Sequence, residues 1–214
     1  MRKALTAMMF TALALVSART AAAAQTEPAP PQPPPPAAAP APAPIPPAAA
    51  VPVLPPPVVT ANPANKLRLE LSNGGTVVIQ LRPDAAPAHV ERIQTLVRRG
   101  FYNGVGFHRV IPGFMAQGGD PSGTGTSGSD KPNLQAEFSK EPHVRGVCSM
   151  ARTSAPNSAN SQFFICFDDA TFLDRQYTVW GEVVEGMEHV DALPKGEPPR
   201  NPGRIVSLKV AADA

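Results

Sequence analysis

Apolar and polar residues alternate along Lys66-Leu67-Arg68-Leu69-Glu70-Leu71, the period of a strand with one face buried. Asn73-Gly74-Gly75 follows as a hairpin signal, and Thr76 to Leu81 reads as the return strand. Pro83-Asp84-Ala85-Ala86-Pro87 then breaks the alternation, and the period changes. Val90, Ile93, Leu96 and Val97 fall on one helical face, with Asp84 as the expected cap and Gly100 as the expected end. Further strand-like runs are Gly106–Ile111, Phe114–Gly118, Gly146–Met150, Gln162–Phe167, Thr178–Val184 and Arg204–Val210. Gly186 to Leu193 reads as a second helix, and residues 119–145, rich in Gly, Ser and Pro, read mostly as loop. About eight short strands with turn signals between them, and two helices, predict a mainly β domain whose sheet closes into an antiparallel barrel and so hides its edges.

None of this patterning reaches the first 65 residues, which hold more than half of the 28 prolines and few charges. Arg2 and Lys3 form a short positive region, Ala4 to Val16 is an apolar run, and Ala22-Ala23-Ala24 offers a small-residue cleavage site before Gln25. That is the pattern of a secretory signal peptide, and the run is short for a membrane span of about 20 residues. The expectation is export to the periplasm of a Gram-negative bacterium, with secretion to the exterior as the other outcome and no stable membrane insertion after cleavage. From Gln25 to about Asn65 the chain alternates Pro and Ala, with runs such as Pro33-Pro34-Pro35-Pro36. Proline lacks an N–H and fixes φ, so neither helix nor sheet runs through it, and extended polyproline II is preferred. At ~3.1 Å per residue such a linker reaches on the order of 100 Å. A semi-rigid spacer and a disordered tail without a role of its own are both compatible with this composition. The expected organisation is a signal peptide at 1–24, a disordered Pro/Ala-rich linker at 25–65 and a globular domain at 66–214.

The 19 basic and 17 acidic residues give a formal charge of +2. Arg2, Lys3 and Arg19 lie in the signal peptide, so the mature chain carries 16 minus 17, or −1. With no basic stripe, nucleic acid is not an expected partner. Cys148 and Cys166 are the only cysteines. An oxidising compartment permits a disulfide between them, and two buried free thiols is the favoured reading. The four His residues show no metal spacing, and His108 reads as a structural strand histidine. No serine lies in a nucleophile elbow, so hydrolase chemistry has no support.

Two longer segments carry more specific information. Phe107-His108-Arg109-Val110-Ile111-Pro112-Gly113-Phe114-Met115-Ala116-Gln117-Gly118-Gly119-Asp120 resembles the signature segment of cyclophilins. Ser149-Met150-Ala151-Arg152, then Asn157-Ser158-Ala159-Asn160-Ser161-Gln162-Phe163-Phe164-Ile165, resembles the second signature. Glu137-Phe138, Phe172-Leu173-Asp174 and Val179-Trp180-Gly181-Glu182-Val183 fall in the family's order. The resemblance runs from about Lys66 to the end and looks like the bacterial exported branch. It implies an eight-stranded barrel with a helix covering each end, and peptidyl-prolyl cis–trans isomerase activity. It implies no metal, no cofactor and no covalent intermediate. The partners it implies are proline-containing unfolded or extended polypeptides, met by a monomer.

Residue by residue, the resemblance makes Arg109 the catalytic group. Phe114, Met115, Phe164 and Leu173 match the family's proline pocket, with Phe172 and Tyr177 beside them. Gln117 matches the glutamine that helps hold substrate and orient the arginine, and Ala151 and Arg152 lie where the family pins the peptide through main-chain groups. Phe163 and Phe164 must point to opposite faces of their strand, so one can be core while the other lines a groove. Phe172 stands where many eukaryotic members have Trp, and Tyr177 where they have His, so weak cyclosporin binding is expected. A binding module that chaperones proline-containing segments, or a tethered envelope protein, are the rival readings.

Overall fold

The computed structural model describes residues 62–213, so the expected signal peptide and nearly all of the expected linker lie outside the described residues. The strands are β1 (Lys66–Leu71), β2 (Thr76–Leu81), β3 (Arg109–Ile111), β4 (Met115–Gly118), β5 (Val147–Met150), β6 (Phe163–Cys166), β7 (Val179–Glu185) and β8 (Ile205–Val210). The helices are α1 (Pro87–Arg98) and α2 (Met187–Asp191). Among the described residues no helix is long and apolar enough to cross a membrane.

The strands form one antiparallel sheet in the order β3-β4-β6-β5-β7-β2-β1-β8. Alternation sets the register: Leu67 faces Ile79 and Leu69 faces Val77 across β1 and β2, and all four are buried. The sheet curls into a half-barrel, and the expected full closure needs correcting. β3 and β8 share no ladder; the seam is the Gly106–Arg204 bridge, flanked by bonds from Phe107 N to Gly203 O and from Ile205 N to Val105 O, each 2.9 Å. Past that bridge the partner changes, with Val110 pairing to Gly196, and the rest of β8 is paired with β1. For the same reason the expected strand 106–111 shortens to 109–111.

Helix α1 buries Val90, Ile93, Leu96 and Val97, the face read from the sequence. Its expected cap is a correction. Asp84 is held by Arg82, with Nη2 donating to Oδ2 at 2.7 Å, and the N-cap residue is Ala86. The free helix N–H groups of Ala88 and His89 instead donate to the two carboxylate oxygens of Glu137, at 3.1 and 3.0 Å. A helix opening on Pro87 has one fewer donor to satisfy, and a remote carboxylate supplies the rest. Residues 63–65, placed in the linker by composition, form a 3₁₀ turn on the domain. The carbonyls of Ala64 and Asn65 accept from Gln94 and Gln80.

Inside the barrel, Phe163 is the hub of an edge-to-face aromatic cluster, 5.7 Å from both Trp180 and Tyr102 and 6.3 Å from Phe107 between ring centres. A second, smaller cluster lies on the other face of β4 and β6 and holds Met115, Phe164, Cys166, Ala170 and Leu173. Cys148 belongs to the interior cluster and Cys166 to the outer one, so the two thiols face opposite sides of the sheet and are free.

Candidate functional site

Strand pairing builds the site as two rows of side chains. Arg109 pairs with Gln117, Gln117 with Phe164, and Phe164 with Ser149, giving one row across β3, β4, β6 and β5. Ile111, Met115 and Cys166 make the next row. Side chains of one row share a face because register pairs point the same way. Between the rows and the loop that follows β6 lies a recess of about 120 Å³.

Met115, Phe164 and Leu173 are buried in its floor and walls, and Phe114, Ala151 and Tyr177 pack against them. Phe164 meets Tyr177 edge-on at 5.6 Å. Arg109, Gln117 and Arg152 line the polar side. Nine of the ten residues named from the sequence therefore meet around one recess. The tenth, Phe172, does not line it: the ring is 61% exposed and leans on Phe114 at the rim, 5.5 Å away.

Arg109 is half exposed at the lip of the recess, and its Nε donates to Glu197. Among the described residues Gln117 makes no hydrogen bond to it. The Gln117 amide donates instead to Gln162 Oε1 at 3.0 Å, and Gln162 donates in turn to the carbonyls of Gly125 and Ser127. Arg152 is fastened by its own side chain, whose Nη2 donates to Gln176 O at 2.8 Å while the guanidinium carbon sits 4.6 Å above the Tyr177 ring. Among the described residues its backbone N–H and C=O make no backbone hydrogen bond.

Three groups around the site, His143, Asp174 and Glu197, are given no role in it by the sequence alone. His143 lies behind Phe164, stacked at 6.2 Å, with Nδ1 2.9 Å from Asp174 Oδ1 and Nε2 3.1 Å from Ser149 Oγ. Burial lowers the pKa of His143, and the bond to Asp174 only partly opposes it. Asp174 follows Leu173, so this pair ties the pocket wall to the strand beneath it. The third is Glu197, 88 residues from Arg109 in sequence. It lies in the Pro- and Gly-rich segment between α2 and β8.

Past Gln117, Ala151 and Arg152 the recess opens into a polar depression of about 520 Å³. The loop at 125–129, together with Asn133, Asn160 and Gln162, forms its wall. Asp120 organises that loop, accepting from the N–H groups of Ser122, Gly125 and Ser127. Burial pushes the Asp120 carboxyl up, but these bonds and that of the Ser122 hydroxyl outweigh it and leave the group at about 2. Among the described residues no cluster of His, Cys, Asp and Glu has the makings of a metal site.

A small apolar cup, a guanidinium at its lip and unpaired main-chain groups beside it suit a five-membered ring joined to an extended peptide. That combination defines a protein of the prolyl isomerase class. The family model described as cyclophilin type peptidyl-prolyl cis-trans isomerase/CLD matches residues 66–210. A probable peptidyl-prolyl cis-trans isomerase of Brucella suis is 53% identical over 169 residues, covering 72% of this chain and 86% of the relative. A peptidyl-prolyl cis-trans isomerase of Helicobacter pylori is 42% identical over 130 residues, 59% of this chain and 78% of that protein. Among solved structures, a cyclophilin from Hirschia baltica superposes with a TM-score of 0.66 at 34% identity, over 72% of this chain and 76% of that one. A Cryptosporidium parvum cyclophilin determined in the presence of the dipeptide Ala-Pro gives 0.64 at 28% identity, over 68% and 98%. The chain belongs to the cyclophilin family and is a peptidyl-prolyl cis–trans isomerase.

Proposed function

We propose that the enzyme turns X-Pro bonds in unfolded or extended chains of exported proteins, with Arg109 as the electrostatic catalyst. Amide resonance sets a barrier of ~18–20 kcal/mol to this rotation, and no bond is broken in crossing it. On twisting, the proline nitrogen becomes pyramidal and gains a lone pair. A fixed N–H donor aimed at that nitrogen stabilises the twisted state more than either planar isomer, which is the requirement for catalysis. A guanidinium stays charged and presents a rigid fork of donors.

In this reading Phe114, Met115, Phe164 and Leu173 grip the proline ring. The free main-chain groups of Arg152, with Gln117 and Ala151 beside them, hold the residue before proline. Tyr177 closes the wall and Phe172 the rim. The half-exposed position of Arg109 at the lip of the apolar recess carries the proposal. The Ala-Pro dipeptide named with the Cryptosporidium parvum relative supports the substrate class.

The amino-terminal pattern supports work outside the cytoplasm, in the periplasm, with residues 25–65 as a spacer. In this reading the enzyme works as a monomer. Nucleic acid has no place in this reading. The test is NMR exchange or a protease-coupled assay on an Ala-Pro peptide with the mature chain. Arg109→Ala is expected to lower kcat by about 10²–10³-fold. Equal acceleration by wild type and variant would remove Arg109 from the mechanism. Export is tested by joining residues 1–24 to a reporter and fractionating cells, and a reporter retained in the cytoplasm counts against it.

A further inference from the structure

We propose that Glu197 is the positioning residue for Arg109, holding the guanidinium by its Nε so that both Nη groups stay free for the substrate. This rests on the reading of Arg109 as the catalyst. Val110 and Gly196 exchange two backbone hydrogen bonds, of 2.8 Å from Val110 N and 2.9 Å from Gly196 N. Antiparallel pairing then sets the residue before Val110 opposite the residue after Gly196. Arg109 and Glu197 are therefore cross-strand neighbours in the closely spaced, non-hydrogen-bonded position. Arg109 thus has Gln117 on one side and Glu197 on the other, and only Glu197 bonds it.

The segment that carries Glu197 is built to hold it there. Gly196 sits at φ +146°, and a Cβ added to it would come within 2.7 Å of Pro199 Cα. A carboxylate on the same guanidinium weakens its positive field. The two side chains are 41% and 52% exposed, so water screens that loss, and screens equally any gain in stability. What remains is orientation of a long side chain with several rotatable bonds, and orientation acts on rate.

The experiment is a double-mutant cycle in the mature chain, read by kcat and KM on an Ala-Pro peptide, thermal midpoint and the Arg109 Nε–H NMR signal. Glu197→Ala is expected to lower kcat about tenfold with KM and the thermal midpoint unchanged, and to shift the Nε–H signal. Glu197→Gln, which keeps an acceptor oxygen, is expected to recover part of the rate. In an Arg109→Ala background Glu197→Ala should do nothing further. A wild-type or raised kcat in Glu197→Ala, a change in KM alone, or the same loss in both backgrounds would overturn the proposal. Full activity in Arg109→Ala would instead sink the reading of Arg109 beneath it.

Discussion

Phe163 and Phe164 are consecutive, yet their rings lie in separate apolar clusters on opposite faces of β6. One is the hub of the barrel interior and the other is the wall of the recess. Their truncations should therefore fail differently. Phe163→Ala removes a ring packed on Trp180, Tyr102 and Phe107 and is expected to cost about 3–5 kcal/mol of stability. Phe164→Ala empties the pocket wall, and kcat/KM should fall at least about tenfold while the chain still folds. Denaturant unfolding and peptide kinetics on the two variants separate the cases.

Behind Phe164, the His143 ring bridges Asp174 and Ser149. His143→Ala removes the ring's bonds to Asp174 and Ser149 and leaves a gap under the pocket wall, although Asp174 still accepts from the backbone N–H of residue 143 and Ser149 still donates to Thr178 O. The expected result is a loss of about 2–3 kcal/mol in stability, with a higher KM as Phe164 and Leu173 lose their backing. Urea unfolding and Michaelis kinetics on the variant test both parts.

Acid should weaken the fold in two stages. Burial holds the pKa values of His89, His108 and His143 below the ordinary 6.5, against the pull of Glu137, Asp120 and Asp174 respectively. Above pH 6.5 folded and unfolded chains bind the same protons at these rings. Below it the unfolded chain takes up protons that the folded chain refuses, so stability falls as pH drops from 6.5. Asp120, depressed from 3.8 to about 2, adds stability that is complete above 3.8 and lost as pH falls through about 2. That second stage is worth on the order of 1–2 kcal/mol and loosens the loop beside Gln162 first. Thermal midpoints from pH 8 to pH 2 should show both, and Asp120→Asn should lack the second.

Cys148 and Cys166 should be silent toward thiol reagents in the native chain and both reactive after unfolding. Burial raises both thiols, Cys166 to about 12 and Cys148 well above its usual value. Mild oxidation of the native chain should leave two titratable thiols on subsequent denaturation, because they face opposite sides of the sheet. Mass spectrometry after alkylation gives the count.

How far the sequence could be read depended on how local the cause was. β1 and β2 were legible to the residue because a period-two pattern and a Gly-containing turn act over a few positions. The remaining strands came out shorter at one or both ends, except at the carboxyl end of β7, which runs one residue past the expected Val184. The cap of α1 was misread because Asp84 has a nearer partner in Arg82, and Glu137 reaches the helix end from about 50 residues away in sequence. Seven of the nine pocket residues were legible because two long family motifs carry them, Leu173 and Tyr177 were legible from the shorter family segment around Asp174, and strand register then assembles the rows.

Residue order alone determined the strand periods, the face of α1, the two motifs and the opposition of Phe163 to Phe164, because each is set by backbone period or by contiguous residues. Only the folded chain decided that the sheet closes through the single Gly106–Arg204 bridge rather than a complete ladder. It likewise decided that Gln117 turns to Gln162, that His143 backs the pocket and that Glu197 grips Arg109. Those contacts join residues up to 88 positions apart. Their partners are chosen by curvature and register, which no local pattern encodes.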